Sequence, residues 1–102
     1  PPEPPAPPPP KPLNLFQSCS EYRDRASCKC VSGGRVYVGH RFVSGKPGSG
    51  KRVSTFAELK AAGNFVWRDL GSSSQLRCFF GRKYDPAPGY RKQCFCKRPA
   101  PP

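Results

Sequence analysis

Tyr90-Arg91-Lys92-Gln93-Cys94-Phe95-Cys96-Lys97 closes the foldable part of the chain. Residues two apart on a strand point to one face, so Cys94 and Cys96 aim both sulfurs at the same side and Phe95 faces the other. An upstream twin, Cys28-Lys29-Cys30, repeats the arrangement with Lys29 turned away. Cys19 and Cys78 complete an even set of six cysteines. These spacings predict two sulfur-bearing strands, with loops and one helix hung between them.

The flanks bound the domain. Residues 1–12 hold nine of the fifteen prolines, and residues 99–102 hold three more. Proline fixes φ and donates no hydrogen bond, so both ends read as extended, disordered tails. The domain is then residues 13–98. A core of that size is marginal by itself, and three intrachain disulfides, at about 2–4 kcal/mol each, would make up the shortfall. Six cysteines in so short a chain point to an oxidising compartment, hence a secreted, extracellular protein, and the missing leader fits a mature chain. Zinc ligands come as C-x2-C pairs with histidines or a second such pair. Here the spacing is C-x-C with a single histidine, so no metal or other cofactor is expected. No apolar run approaches the roughly 20 residues of a transmembrane segment.

Net charge is +12, and the domain supplies it: Glu3 and Lys11 cancel, leaving 17 Lys and Arg against five Asp and Glu in residues 13–98. Such an excess attracts polyanions. The candidate partners are an anionic polysaccharide, glycan or lipid surface, then an acidic protein, then nucleic acid.

Leu13 to Phe16 is a short apolar entry to the core, and the polar loop between Cys19 and Cys28 follows. Cys28 to Val31 reads as a strand, with Ser32-Gly33-Gly34 as a hairpin signal. Arg35 to Val43 then alternates, with Val36, Val38, His40 and Phe42 on one face and Arg35, Tyr37, Gly39 and Arg41 on the other. Thr55-Phe56-Ala57-Glu58 is a capping box, so Phe56 to Ala62 is a short helix with Gly63 just past its end. Strands follow at Asn64–Arg68, Leu76–Phe80 and Tyr90–Lys97, with a rigid turn at residues 85–89. The fold class is α+β: a small disulfide-rich domain with a twisted antiparallel sheet of about four to five strands, in the order ββαβββ, with its helix on the sulfur-bearing face.

Gly45-Lys46-Pro47-Gly48-Ser49-Gly50-Lys51-Arg52 matches G-x-x-x-x-G-K, but Arg52 stands where a phosphate-binding loop needs a Ser or Thr for magnesium. Nucleotide hydrolysis is therefore not expected. Lys46, Lys51 and Arg52 fit an anion-gathering loop better, or Lys51-Arg52 a dibasic cleavage point. Catalysis finds little support. His40 falls among core positions, Glu58 is used by its cap, and paired cysteines leave no thiol nucleophile.

The strongest functional pattern is the face opposite the cysteines. Arg35, Tyr37, Arg41, Arg77, Phe79, Arg91 and Phe95 mix point charges with rings, as surfaces that hold phosphate or sulfate and stack on bases or sugars do. With Lys46, Lys51 and Arg52 they form the expected ligand-binding surface. In composition the chain resembles small secreted cysteine-rich proteins of the effector, toxin or defence type. The expected function is a non-enzymatic cationic binder of an anionic cell-wall or cell-surface glycan or lipid. A protein-directed effector or inhibitor docking an acidic partner is the first alternative. A small basic ribonuclease using Glu58 and His40 is the second.

Overall fold

The structure is a computed structural model and describes residues 2–7, 15–20, 27–44, 50–88 and 90–100. Its centre is a four-stranded antiparallel sheet in the order β1-β6-β3-β4, where β1 is Phe16–Ser20, β6 is Lys92–Lys97, β3 is Arg35–His40 and β4 is Phe65–Asp69. Val36 stands opposite Cys96 and Val38 opposite Cys94, so valines and sulfurs share one face. Tyr37 stands opposite Phe95 on the other. Both faces of β3 and β6 are apolar, and both are covered.

The sulfur face is covered by a second sheet of two short strands, β2 (Ser27–Lys29) and β5 (Gln75–Arg77). Each disulfide joins one layer to the other: Cys19 of β1 to Cys28, Cys96 of β6 to Cys30, and Cys94 of β6 to Cys78. No cysteine is left free. Cys28, Val36, Val38, Leu70, Cys78, Cys94 and Cys96 make the core between the layers. Alternation along β1 places Cys19 on this face, and the register to β6 slips at this residue, between Ser18 and Ser20, so that Ser20 pairs with Cys94.

The ring-bearing face is covered by α1, Phe56–Ala61. The expected capping box forms: Thr55 Oγ1 accepts from the Glu58 amide at 3.2 Å, and Glu58 Oε1 accepts from the Thr55 amide at 3.2 Å. Past the C-cap, Gly63 takes φ +130, where a side chain would be strained. Leu59 is driven down onto Gly39, and a Cβ there would stand 2.8 Å from the leucine Cδ1. Phe56 stacks on Phe16 with ring centroids 4.1 Å apart and meets Tyr37 edge-on at 4.6 Å. Tyr37, Val53, Leu59 and Phe95 are the buried members of this second core. Each such ring pair adds about 0.5–1.5 kcal/mol to the burial itself.

The α+β class and the disulfide-rich sheet hold, but three expectations change. A strand at Phe16–Ser20 precedes the two expected before the helix, so the order is βββαβββ rather than ββαβββ. The turn at Ser32–Gly34 does not close a hairpin. It carries the chain from one sheet to the other, because β2 pairs with β5 and β3 pairs with β4 and β6. The helix lies on the face opposite the sulfurs. Three bridges with Cα–Cα distances of 5.0 to 6.0 Å need a strand-bearing layer close against β1 and β6, and that layer fills the sulfur side.

Beyond β5, a single 3₁₀ turn at Arg82–Tyr84 leads into a tight loop. Asp85 Oδ1 accepts from the Ala87 amide at 2.9 Å and pairs with the Lys92 ammonium at 3.2 Å. Both side chains are nearly closed off from water, and Lys92 also donates to the Tyr90 carbonyl at 2.8 Å. This buried pair fastens the loop to the end of β6. Residues 2–7 of the proline tail are exposed and without regular structure.

Candidate anion-binding surface

The sheet face read as a ligand-binding surface is not one exposed plane. Tyr37 and Phe95 are buried under the helix and Arg41 is 3 % exposed, its guanidinium donating to the Lys92 carbonyl at 3.1 Å. Arg77 is exposed, but on β5 of the small sheet. Phe79 is half-buried with the Lys92 ammonium 5.8 Å from its ring centre. Arg91 is exposed immediately before β6. Lys51 and Arg52 are exposed at the other end of the chain's return to β3, where residue 52 bridges to Phe42. Lys51 pairs with Glu58 at 3.1 Å. Lys46 lies outside the described residues. Alternation in the sequence implies one dry side and one wet side, whereas the two central strands are dry on both.

Of the expected residues on the ring-bearing face, Arg35 is half-buried and reaches solvent at the end of β3. Asp69 stands directly across from it on β4 and accepts from Arg35 Nε at 2.8 Å. That bond, with a longer one from Arg35 to the Tyr37 hydroxyl, raises the arginine's pKa and keeps it charged. The guanidinium lies 3.8 Å from the centre of the Trp67 ring. Lys97 is directly opposite Arg35 on β6, and Phe16 is directly opposite Lys97 on β1. The sequence reading passed over Trp67, Asp69 and Arg98. The one available signal was a tryptophan in a strand with two charged neighbours, Arg68 and Asp69.

A second cationic group sits on the other side of β4. Arg68 lies over the Phe80 ring at 5.1 Å and the Tyr84 ring at 5.8 Å, and the Lys83 ammonium lies 5.7 Å from the Tyr84 ring centre. An open groove of about 500 Å³ runs between the start of β4 and the 3₁₀ turn, lined by Asn64, Phe65, Lys83 and Tyr84 among others. Among the described residues, Trp67, Tyr84 and Tyr90 are the large apolar side chains left exposed.

The carboxylates follow a different rule from the cations. Glu58, Asp69 and Asp85 are each engaged by a cation of the fold, Lys51, Arg35 and Lys92 respectively. Glu58 also accepts from the Ser54 hydroxyl at 2.7 Å and the Ser54 amide at 3.1 Å, which with Lys51 pushes its pKa down from 4.5 to about 2. By contrast, Arg68, Arg77, Arg82, Lys83, Arg91 and Arg98 are exposed and have no carboxylate partner among the described residues.

Among the described residues no group of three His, Cys, Asp or Glu side chains is placed to hold a metal ion, and no helix is long and apolar enough to cross a membrane. No protein-family model, curated protein or solved structure matches the chain.

Proposed function

We propose that the chain is a secreted, cationic, disulfide-stabilised binding domain whose target is an anionic glycan of a cell wall or cell surface. The observation that carries this reading is the asymmetry between its charges. Each described acid of the domain is paired with a cation of the fold, while six exposed arginines and lysines have no carboxylate partner among the described residues. Self-repulsion among such charges costs stability in the free protein, and a polyanion relieves it. The exposed rings Trp67 and Tyr84 beside Arg35, Arg68 and Lys83 add stacking surface to the charge. Three disulfides in a small domain are compatible with an extracellular setting.

Charge alone attracts polyanions without a fold, so the test separates the two. Native protein and protein reduced and capped with a neutral reagent carry the same net charge. On an immobilised sulfated or uronate polysaccharide, the native form should elute at distinctly higher salt, because the folded surface holds its cations in one arrangement. Elution of both forms at the same salt would refute the proposal. The ribonuclease alternative finds little chemistry to support it: a carboxylate held near 2 is a weak base, and Glu58 spends both oxygens on its cap and Lys51.

A further inference from the structure

We infer that the outer edge of β4 is a docking site for an extended acidic segment of another protein, added to the central sheet as a further strand. The site does not depend on the glycan reading above. The Gly34 carbonyl accepts from the Leu70 amide at 3.0 Å, one position beyond the Arg35–Asp69 pair. Along an antiparallel strand, bonding toward a given neighbour falls on alternate residues. Arg68 and Val66 therefore bond to β3, and the backbone N–H and C=O groups of Phe65, Trp67 and Asp69 point away from it. Among the described residues nothing pairs with these outward groups.

Sheet edges are commonly blunted by lysine or proline, or by a break in register. At the other edge of the sheet, the register of β1 slips between Ser18 and Ser20, and Cys19 ties the strand to the small sheet. β4 instead keeps register with β3 over its whole length, contains neither lysine nor proline, and leaves Trp67 48 % exposed. The open groove of about 500 Å³ lies beside Phe65 and Val66, so the start of this edge has free space between it and the 3₁₀ turn.

The two faces of the edge set the chemistry of the partner. Val66 and Arg68 share the sulfur face. Arg68 is exposed there without a carboxylate partner among the described residues, and Lys83 lines the groove with Val66. Phe65 and Trp67 share the opposite face with Asp69, whose carboxylate is already held by Arg35. Cross-strand neighbours pair by opposite charge and by apolar contact. The strand that fits thus alternates, with acidic side chains toward Arg68 and Lys83 and apolar ones toward Phe65 and Trp67. Main-chain bonds attach such a strand and its alternate side chains select it. A glycan has no ladder of N–H and C=O groups to match the edge. A second copy of this chain fits poorly, because each carries a net charge of +12.

The experiment titrates the intact, isotope-labelled protein with a short synthetic peptide alternating glutamate and valine, and follows amide exchange by NMR. At saturating peptide the exchange of the Phe65, Trp67 and Asp69 amides should slow by about tenfold or more, and that of Val66 and Arg68, already bonded to β3, by less. N-methylating one alternating set of peptide amides should abolish binding, and methylating the other set should not. Arg68→Glu should raise the Kd roughly three- to tenfold at low salt. A peptide that does not bind refutes the proposal. Equal affinity for the two methylated sets, or for polyglutamate or a scrambled peptide of the same composition, also refutes it and leaves diffuse charge alone. The same alternating protection from an oligogalacturonate assigns the edge to the glycan instead. Concentration-dependent protection without any ligand refutes it in favour of a second copy. Retention on a polysaccharide column is a separate measurement, so the glycan reading and this one fail independently.

Discussion

Removing the bridge between Cys30 and Cys96 should cost the domain more than removing the bridge between Cys19 and Cys28, and the difference can be worked from the fold. Residues 30 and 96 are 66 apart in sequence, while 19 and 28 are 9 apart. In the chain-entropy account, the long loop corresponds to about 4.4 kcal/mol at 25 °C and the short one to about 2.7 kcal/mol. The packing losses nearly cancel between the two variants, because each pair contains one buried sulfur (Cys96, Cys28) and one half-buried sulfur (Cys30, Cys19). The double alanine variants should therefore differ by about 1.7 kcal/mol. For a domain of this size that is a gap in Tm of roughly 7–14 °C. Guanidinium unfolding followed by far-UV circular dichroism and by Trp67 emission measures it, with equal m-values as the check that both variants unfold in one step. A short-loop variant that is as unstable as the long-loop variant would refute the reasoning. It would mean that the Cys19–Cys28 bridge acts chiefly by holding the bulged edge strand in place.

Three other substitutions test other parts of the fold. Asp85→Ala strips the carboxylate from the buried Lys92 and should destabilise by about 3–5 kcal/mol, and adding Lys92→Met should recover most of it in chemical unfolding. Gly39→Val places a side chain where Leu59 already sits and should cost about 1–3 kcal/mol, with faster amide exchange in the helix; unchanged stability would contradict the close approach. Glu58 has a folded pKa of about 2 against 4.5, so its contribution is complete above pH 4.5 and is lost as pH falls toward 2. Glu58→Gln should flatten the acid limb of the stability curve in that window, and an unchanged limb would contradict the assignment.

Local signals survived the passage from sequence to structure. Cys94 and Cys96 do share a face, and the Thr55–Glu58 cap does start the helix, because both features depend on residues within one turn or one strand. What the sequence left open is which layer covers which side. Val36 and Val38 on one side and Tyr37 and Phe95 on the other are both apolar, and nothing local assigns the helix to either. A strand wet on one side shows clean alternation, whereas a strand buried on both does not. Read by alternation alone, Tyr37, Phe95 and Arg41 fall on the wet side, whereas all three are buried. Trp67 was missed for the opposite reason. It stands on an edge strand after Phe65 and Val66 and before Arg68 and Asp69, and only the three-dimensional position of Arg35 and Asp69 sets it apart from a core residue.

The placement of the sulfurs also gives the domain a built-in sense of where it is. A reductant acts on one side of the central sheet only, since the aromatic side carries no disulfide. Carried from an oxidising space into a reducing one, the molecule would be taken apart from that side. The small sheet would swing away, baring Val36, Val38 and the edges of short strands, while the helix still rested on Phe95. Such a half-opened chain keeps its positive charge but presents greasy backbone to proteases, so its working life would be set by the compartment it occupies.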